Sequence, residues 1–248
     1  MRLATSLVPF MLAATALACS PAPRQAPATA PTPTLGAAYP TELRWFRTSA
    51  EYRALTLQTY RAAASQLGTA SQGLASGSWA VILDADETLL DNSEYQKRLG
   101  ATQGRYSDSS WAVWVREGAA PAVPGAVEFS RRVHALGGLV AIVTNRAQSL
   151  CDVTRKNLTD VGLQADMVLC QPPGVSDKNP RFQLIQSGTA MPGVPPLKVL
   201  EWVGDNIQDF PMLTQRARND PAALAEFGRR YFVLPNPMYG SWEKNPDQ

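Results

Sequence analysis

Five short apolar runs, each followed by polar residues, limit what this chain can fold into. They are residues 79–83 (WAVIL), 139–143 (LVAIV), 166–169 (DMVL), 199–203 (VLEWV) and 231–234 (YFVL). The runs are largely continuous, without the alternation of a half-exposed strand. That is the signature of strands covered on both faces. Helical stretches lie between them. Residues 125–136 (GAVEFSRRVHAL) follow Pro124 and stop at Gly137-Gly138, the expected punctuation. Residues 148–161 and 207–217 are also expected to be helical. Strands alternating with helices predict an α/β fold: a Rossmann-like parallel sheet with helices on both faces.

Two segments stand outside that rhythm. Thr48 to Glu51 spells T-x-x-E, a capping box, and Tyr52, Leu55, Thr59, Tyr60, Ala63 and Leu67 follow at helical spacing. This predicts a helix of about five turns ending near Gly68, within an N-terminal helical segment, 41–78. Residues 92–124 hold Tyr95, Tyr106, Trp111 and Trp114 with only a short helical pattern. We expect them to form a small, mainly helical lobe or cap over the carboxyl edge of the sheet, inserted in a core spanning 79–248.

The first 18 residues read as an export signal: Arg2 is their only charge, and the stretch is too short for a spanning helix. Ala16-Leu17-Ala18-Cys19 fits an ordinary cleavage site and also resembles a lipobox, in which Cys19 would be lipidated and become the new N-terminus. Ser20 after that Cys favours the outer membrane over the inner. Residues 19–40 carry the Pro/Ala/Thr composition of a tether that cannot bury enough apolar surface to fold. The expectation is an exported protein, lipid-anchored to the cell envelope. In such a compartment Cys151 and Cys170 fall on one edge of the sheet, a placement that admits either a disulfide or two buried thiols.

In open α/β sheets, ligands bind beyond the carboxyl ends of the strands. Asp84-Ala85-Asp86-Glu87-Thr88 follows the first run, Thr144-Asn145-Arg146 the second, and Gly204-Asp205-Asn206 the fourth, with Asp209 one turn later. Ser176-Asp177-Lys178-Asn179 lies between the last two of these. Gathered carboxylates repel and raise one another's pKa, so they stay ionised together only when a cation joins them. Hard oxygen donors suit Mg²⁺, which keeps room for water and phosphate. A carboxylate beside that ion and a lysine can attack phosphorus, and a second carboxyl two residues on can protonate the leaving oxygen.

The net charge is +2, with no long basic run, which excludes the clustered positive field of a nucleic-acid groove. His134, the only histidine, falls within a predicted helix away from the strand ends, which argues against phosphohistidine chemistry and a histidine-rich zinc site. Arg146 either assists phosphate binding or pairs with a neighbouring acid. Asp91 and Asn92 are expected to fix the loop after Asp84. Trp111, Trp114 and Tyr239 are candidate walls for a stacked base or aryl group. No sequence feature demands an oligomer.

The motifs ILDADETLLDNSEY, AVPGAVEF, IVTNR, VGDNIQDF and LPNPMYGSWE, with WFRTSAEYRALTLQTY before them, resemble the class C acid phosphatases of the haloacid dehalogenase-like superfamily. These are bacterial lipoproteins that include 5′-nucleotidases, and the resemblance spans roughly residues 42–244. It implies Asp84 as nucleophile and Asp86 as general acid/base. It implies Mg²⁺ held by the Asp84 carboxylate, the Asp86 main-chain carbonyl and Asp205, with Asp209 in support. Thr144, Asn145 and Lys178 would bind phosphate. The substrates would be small phosphomonoesters such as nucleotides. Passing the phosphoryl group to an alcohol instead of water would make the chain a phosphotransferase. Holding a ligand without chemistry would make it a surface binding lipoprotein.

Overall fold

The structure, a computed structural model, describes residues 40–246. The export signal, Cys19 and the tether up to residue 39 lie outside the described residues. All five apolar runs are strands: β1 Trp79–Leu83, β2 Leu139–Ala147, β3 Met167–Gln171, β4 Lys198–Gly204 and β5 Tyr231–Val233. They form one parallel sheet in the order β3-β2-β1-β4-β5.

The central part of each strand is mostly apolar because both faces are covered. From β1, Val81 and Leu83 enter one core, while Ala80 and Ile82 enter the other. The first core takes side chains from α2 (Ala50–Ala70), α5 (Ala126–Ala135) and α6 (Cys151–Asp160), including Leu67, Phe129 and Leu158. The second takes Phe182 and Ile185 of α7 (Asn179–Gln186), with Trp202 and Phe210. No helix of the described residues is long and apolar enough to cross a membrane.

Two local expectations are corrected. Thr48 does not cap the long helix. It ends α1 (Thr41–Thr48), with its hydroxyl donating to Arg44 O, and Ser49 accepts from Tyr52 N as the true cap of α2. Residues 207–217 are not one helix but two 3-10 turns, Ile207–Asp209 and Gln215–Asn219. Pro211 drives Phe210 into extended backbone (φ −111°, ψ 144°), which stops the first turn. Residues 92–124 hold two helices, α3 (Ser93–Ala101) and α4 (Asp108–Glu117). The two ends of that insertion are pinned where Asp91 N donates to Pro121 O (2.8 Å) and Val123 N to Leu89 O (2.9 Å).

Cys151 and Cys170 form a disulfide, with Cα atoms 5.8 Å apart. It joins the start of α6 to the end of β3, on the carboxyl edge of the sheet.

Glu201 is an anomaly in this core. It lies on β4 opposite Val81, it is 1 % exposed, and neither carboxylate oxygen has a hydrogen-bond partner. Burial alone pushes its pKa from 4.5 up to about 9. The folded protein therefore holds a proton that the unfolded chain releases near its ordinary value. Between those two pH values the native state binds more protons, so stability falls as pH rises, by at most about 1.4 kcal/mol per pH unit. Glu201→Gln removes this dependence. Thermal unfolding at pH 5 and pH 8 checks it: the loss of midpoint on going to pH 8 is expected to be smaller in the variant. Equal losses in the two proteins would show that Glu201 ionises freely.

Candidate active site

The site begins where the strand order reverses. The chain runs outward from β1 to β2 and β3, then returns to place β4 on the other side of β1. Leu83 pairs with Val203, and Asp84 N donates to Val203 O at 3.0 Å. Asp84 and Asp205, which follow these two strands, therefore emerge side by side. Gly204 lets a third carboxylate in. A Cβ there would lie 2.3 Å from the Cβ of Asp209, so only glycine leaves Asp209 room to fold back beneath the strand end. Asn206 N then donates to Asp209 Oδ2 at 2.8 Å. One oxygen each from Asp84, Asp205 and Asp209 falls within 4.8 Å of the others.

Lys178 joins two of the three. It sits at the cap position of α7, buried, and its Nζ donates to Asp84 Oδ1 and to Asp209 Oδ1 (2.7 Å). Burial works against the ammonium charge, but Asp209 and Asp84 outweigh it and hold Lys178 protonated. Asp84 is pushed up to about 7: burial is the largest cause, the Lys178 charge opposes it, and Asp209 and Asp86 add to it. Asp205 has neutral partners, with Asn236 Nδ2 donating at 2.8 Å and Thr88 Oγ1 at 3.3 Å. Its pKa is held well above the usual value by burial and by Asp209 and Asp84. One ammonium against three carboxylates leaves two negative charges, the charge of one divalent ion. The donor set fits a metal ion, and these residues could hold one.

Asp86 faces a different set of donors. Arg146 Nε (2.9 Å), an Arg146 terminal nitrogen (2.8 Å) and Asn92 Nδ2 (2.9 Å) all address its Oδ1. Its carboxyl is thus held by donors of its own, outside the three-acid cluster. Of the two readings of Arg146, the structure shows pairing with the acid. Asn92 is the hub of the loop. It donates from its main chain to Glu87 Oε1 (2.8 Å) and from Nδ2 to Glu87 Oε2 (3.3 Å), and it accepts from Trp114 Nε1 (2.8 Å) and Arg146 (3.1 Å). Glu87 is fully buried at φ +52°, in backbone that L-residues rarely adopt.

A cavity of about 880 Å³ opens above these groups. Asp84, Asp86, Asn145, Lys178, Asp205 and Asp209 line its floor, and Tyr95, Tyr106, Trp111 and Tyr239 line its sides. Trp114 does not line it: the ring is 3 % exposed, tied to Asn92 and covered by Arg98 at 5.0 Å. Thr144 lies buried behind Asn145, its hydroxyl accepting from Arg146 N at 3.1 Å. His134 is remote, paired with Asp166 at 2.7 Å.

The sequence profile of the HAD superfamily, subfamily IIIB (acid phosphatase), matches residues 12–242. The chain belongs to that subfamily. The class C acid phosphatase of Bacillus anthracis, solved with tungstate bound, superposes with a TM-score of 0.71 at 28 % identity, covering 82 % of this chain and 85 % of that one. Among curated proteins, the stem 31 kDa glycoprotein of Glycine max is 26 % identical over 64 % of this chain, and acid phosphatase 1 of Solanum lycopersicum 33 % identical over 33 %. The chain spans 58 % of the length of the soybean protein and 32 % of the tomato enzyme.

Within this acid phosphatase fold, sequence reasoning missed Arg181, Glu87 and Asn236. Arg181 donates to Thr144 O at 2.5 Å and to Asn145 Oδ1 at 2.6 Å. Its spacing of three from Lys178, one helical turn, was the available signal. Glu87 was hidden within the acidic motif, and nothing local marks Asn236 as a partner of Asp205.

Asn92→Ala tests the loop hub. It strips donors from Glu87 and Asp86 and leaves the buried Trp114 Nε1 without an acceptor. We expect a loss of about 2–4 kcal/mol in urea unfolding. A change below about 0.5 kcal/mol, the range of an ordinary surface substitution, would contradict the hub assignment.

Proposed function

We propose that this protein is a Mg²⁺-dependent acid phosphatase that hydrolyses phosphomonoesters, nucleoside 5′-monophosphates among them, through an aspartyl-phosphate on Asp84. The observation that carries this reading is the Asp84 carboxylate, held by Lys178 beside Asp205 and Asp209 on the floor of a cavity that Asp86 also reaches. Family membership and the tungstate held by the Bacillus anthracis enzyme support it, since tungstate is a tetrahedral oxyanion like phosphate.

Asp84, Asp205 and the Asp86 main-chain carbonyl would hold Mg²⁺, with Asp209 in support. When bound, the ion supplies positive charge that draws an anionic phosphoryl group to an anionic nucleophile. Asp84 attacks phosphorus as the ester P–O bond breaks, and the leaving oxygen takes its proton from Asp86. Asp86 then removes a proton from the water that attacks the aspartyl-phosphate, which frees inorganic phosphate and restores Asp84. Lys178 and Asn145, which line the cavity, offset the charge that shifts onto the phosphoryl oxygens; Thr144, expected from the sequence to share that role, is buried behind Asn145 and does not reach them. The three donors on Asp86 Oδ1 leave Oδ2 as the oxygen that carries the transferred proton. Trp111 and Tyr239 offer rings on which the organic part of the substrate stacks. An acid that must begin protonated places best activity below neutral pH. Export and a lipid on Cys19 would set the reaction at the cell envelope, with the outer membrane as the anchor.

Two measurements test this reading. With p-nitrophenyl phosphate and a panel of nucleotides, Asp84→Asn is expected to lose more than roughly a thousandfold in kcat. A chelator is expected to silence the wild type reversibly. Turnover that survives Asp84→Asn would remove it as nucleophile. Because metal binding needs ionised carboxylates, Mg²⁺ is expected to raise the unfolding temperature more at pH 8 than at pH 5. Asp205→Asn should abolish that rise. A rise that is independent of pH, or that persists in Asp205→Asn, places the ion elsewhere.

A further inference from the structure

Helix α7 starts with a charge arrangement that local rules disfavour. Lys178 caps it and Arg181 stands in its first turn; that turn holds no acid of its own, and Asp177 just before it accepts from Asn179 N at 2.9 Å. Two cations there oppose the helix dipole. The Arg181 guanidinium is also buried, at 4 % exposure, and meets only neutral acceptors: Thr144 O, Asn145 Oδ1, and Ser176 O and Asp177 O at 3.3 Å. Its Nε has no partner. A guanidinium buried without a carboxylate is expensive to keep for packing alone. It is not among the residues that line the cavity, so it has no direct contact with a substrate there.

A guanidinium carries only donors, so the Asn145 atom 2.6 Å from it has to be the carbonyl oxygen. With that oxygen pinned, the Asn145 amide nitrogen, on a residue that lines the cavity, is left to present its two hydrogens inward. The bond to a full positive charge also polarises the amide and strengthens it as a donor. A flipped Asn145 would turn a carbonyl oxygen towards an anionic substrate.

We infer that Arg181 is a positioning residue that locks Asn145 with its amide facing the phosphoryl group. This rests on the phosphatase reading above and deepens it. The bond to Thr144 O fixes the same strand end, so the two arms of the fork set the position and the rotation of Asn145 together. Lysine cannot substitute, because one ammonium does not reproduce a planar fork.

The test reads oxyanion binding as well as turnover, using inorganic phosphate with the Mg²⁺-loaded protein. Arg181→Lys is expected to weaken phosphate binding by about tenfold and to lower kcat/KM by a similar factor. In an Asn145→Ala background the same replacement is expected to change binding by less than about twofold, because the group it acts through is gone. An equal fold loss in both backgrounds overturns the proposal. Should Arg181→Lys fail to fold, the native protein answers. Titration with phosphate is expected to shift the Asn145 side-chain amide resonances, and resonances that stay fixed as phosphate saturates overturn the proposal. A wild type that binds phosphate through Asn145 but hydrolyses no ester would refute the phosphatase reading and leave the positioning role standing.

Discussion

Lys178 bridging Asp84 and Asp209 is the contact on which the rest of the site depends. Three carboxylates within reach of one ligand would otherwise drive one another to protonate in a buried place. The ammonium offsets part of that repulsion and leaves a negative remainder that a divalent cation could offset. The bond also crosses the sheet's edge, because it ties the loop before α7 to the ends of β1 and β4. The electrostatics of the site and the closure of its floor are therefore one interaction.

Around that contact the protein separates two carboxyl groups by environment. Asp84 sits among anions and one lysine, while Asp86, two residues away, sits among the donors of Arg146 and Asn92. Asn92 supports this division by linking Asp86, buried Glu87, Arg146 and Trp114 in one network. Arg181 does for Asn145 what Asn92 does for Asp86, holding one end of a side chain so that the other faces the cavity.

The five strands were legible because a strand buried on both faces has to be apolar at nearly every position. The acids at the strand ends were legible because a parallel sheet puts its ligands there. The failures have local causes. Thr48 and Ser49 are both competent caps, and only the end of α1 at Thr48 decides between them. The 207–217 stretch has helical composition, but Pro211 interrupts it. Trp111 and Trp114 lie one turn apart on α4, so no spacing rule says that the first lines the cavity while the second is tied to Asn92.

The sequence by itself determined the sheet, the order of its elements and the chemical types that meet at its carboxyl edge. Those follow from periodicity and from polar residues placed next to apolar runs, which act over a few neighbouring positions. Tertiary structure alone decided the partners: Lys178 with Asp84, 94 residues apart, Arg146 with Asp86, 60 apart, and Arg181 with Asn145, 36 apart. It alone decided that Cys151 and Cys170 are joined and that Glu201 is buried without a partner. Such pairings depend on where separate strands and helices come to rest against one another, and that is set by the packing of two cores that no local pattern encodes.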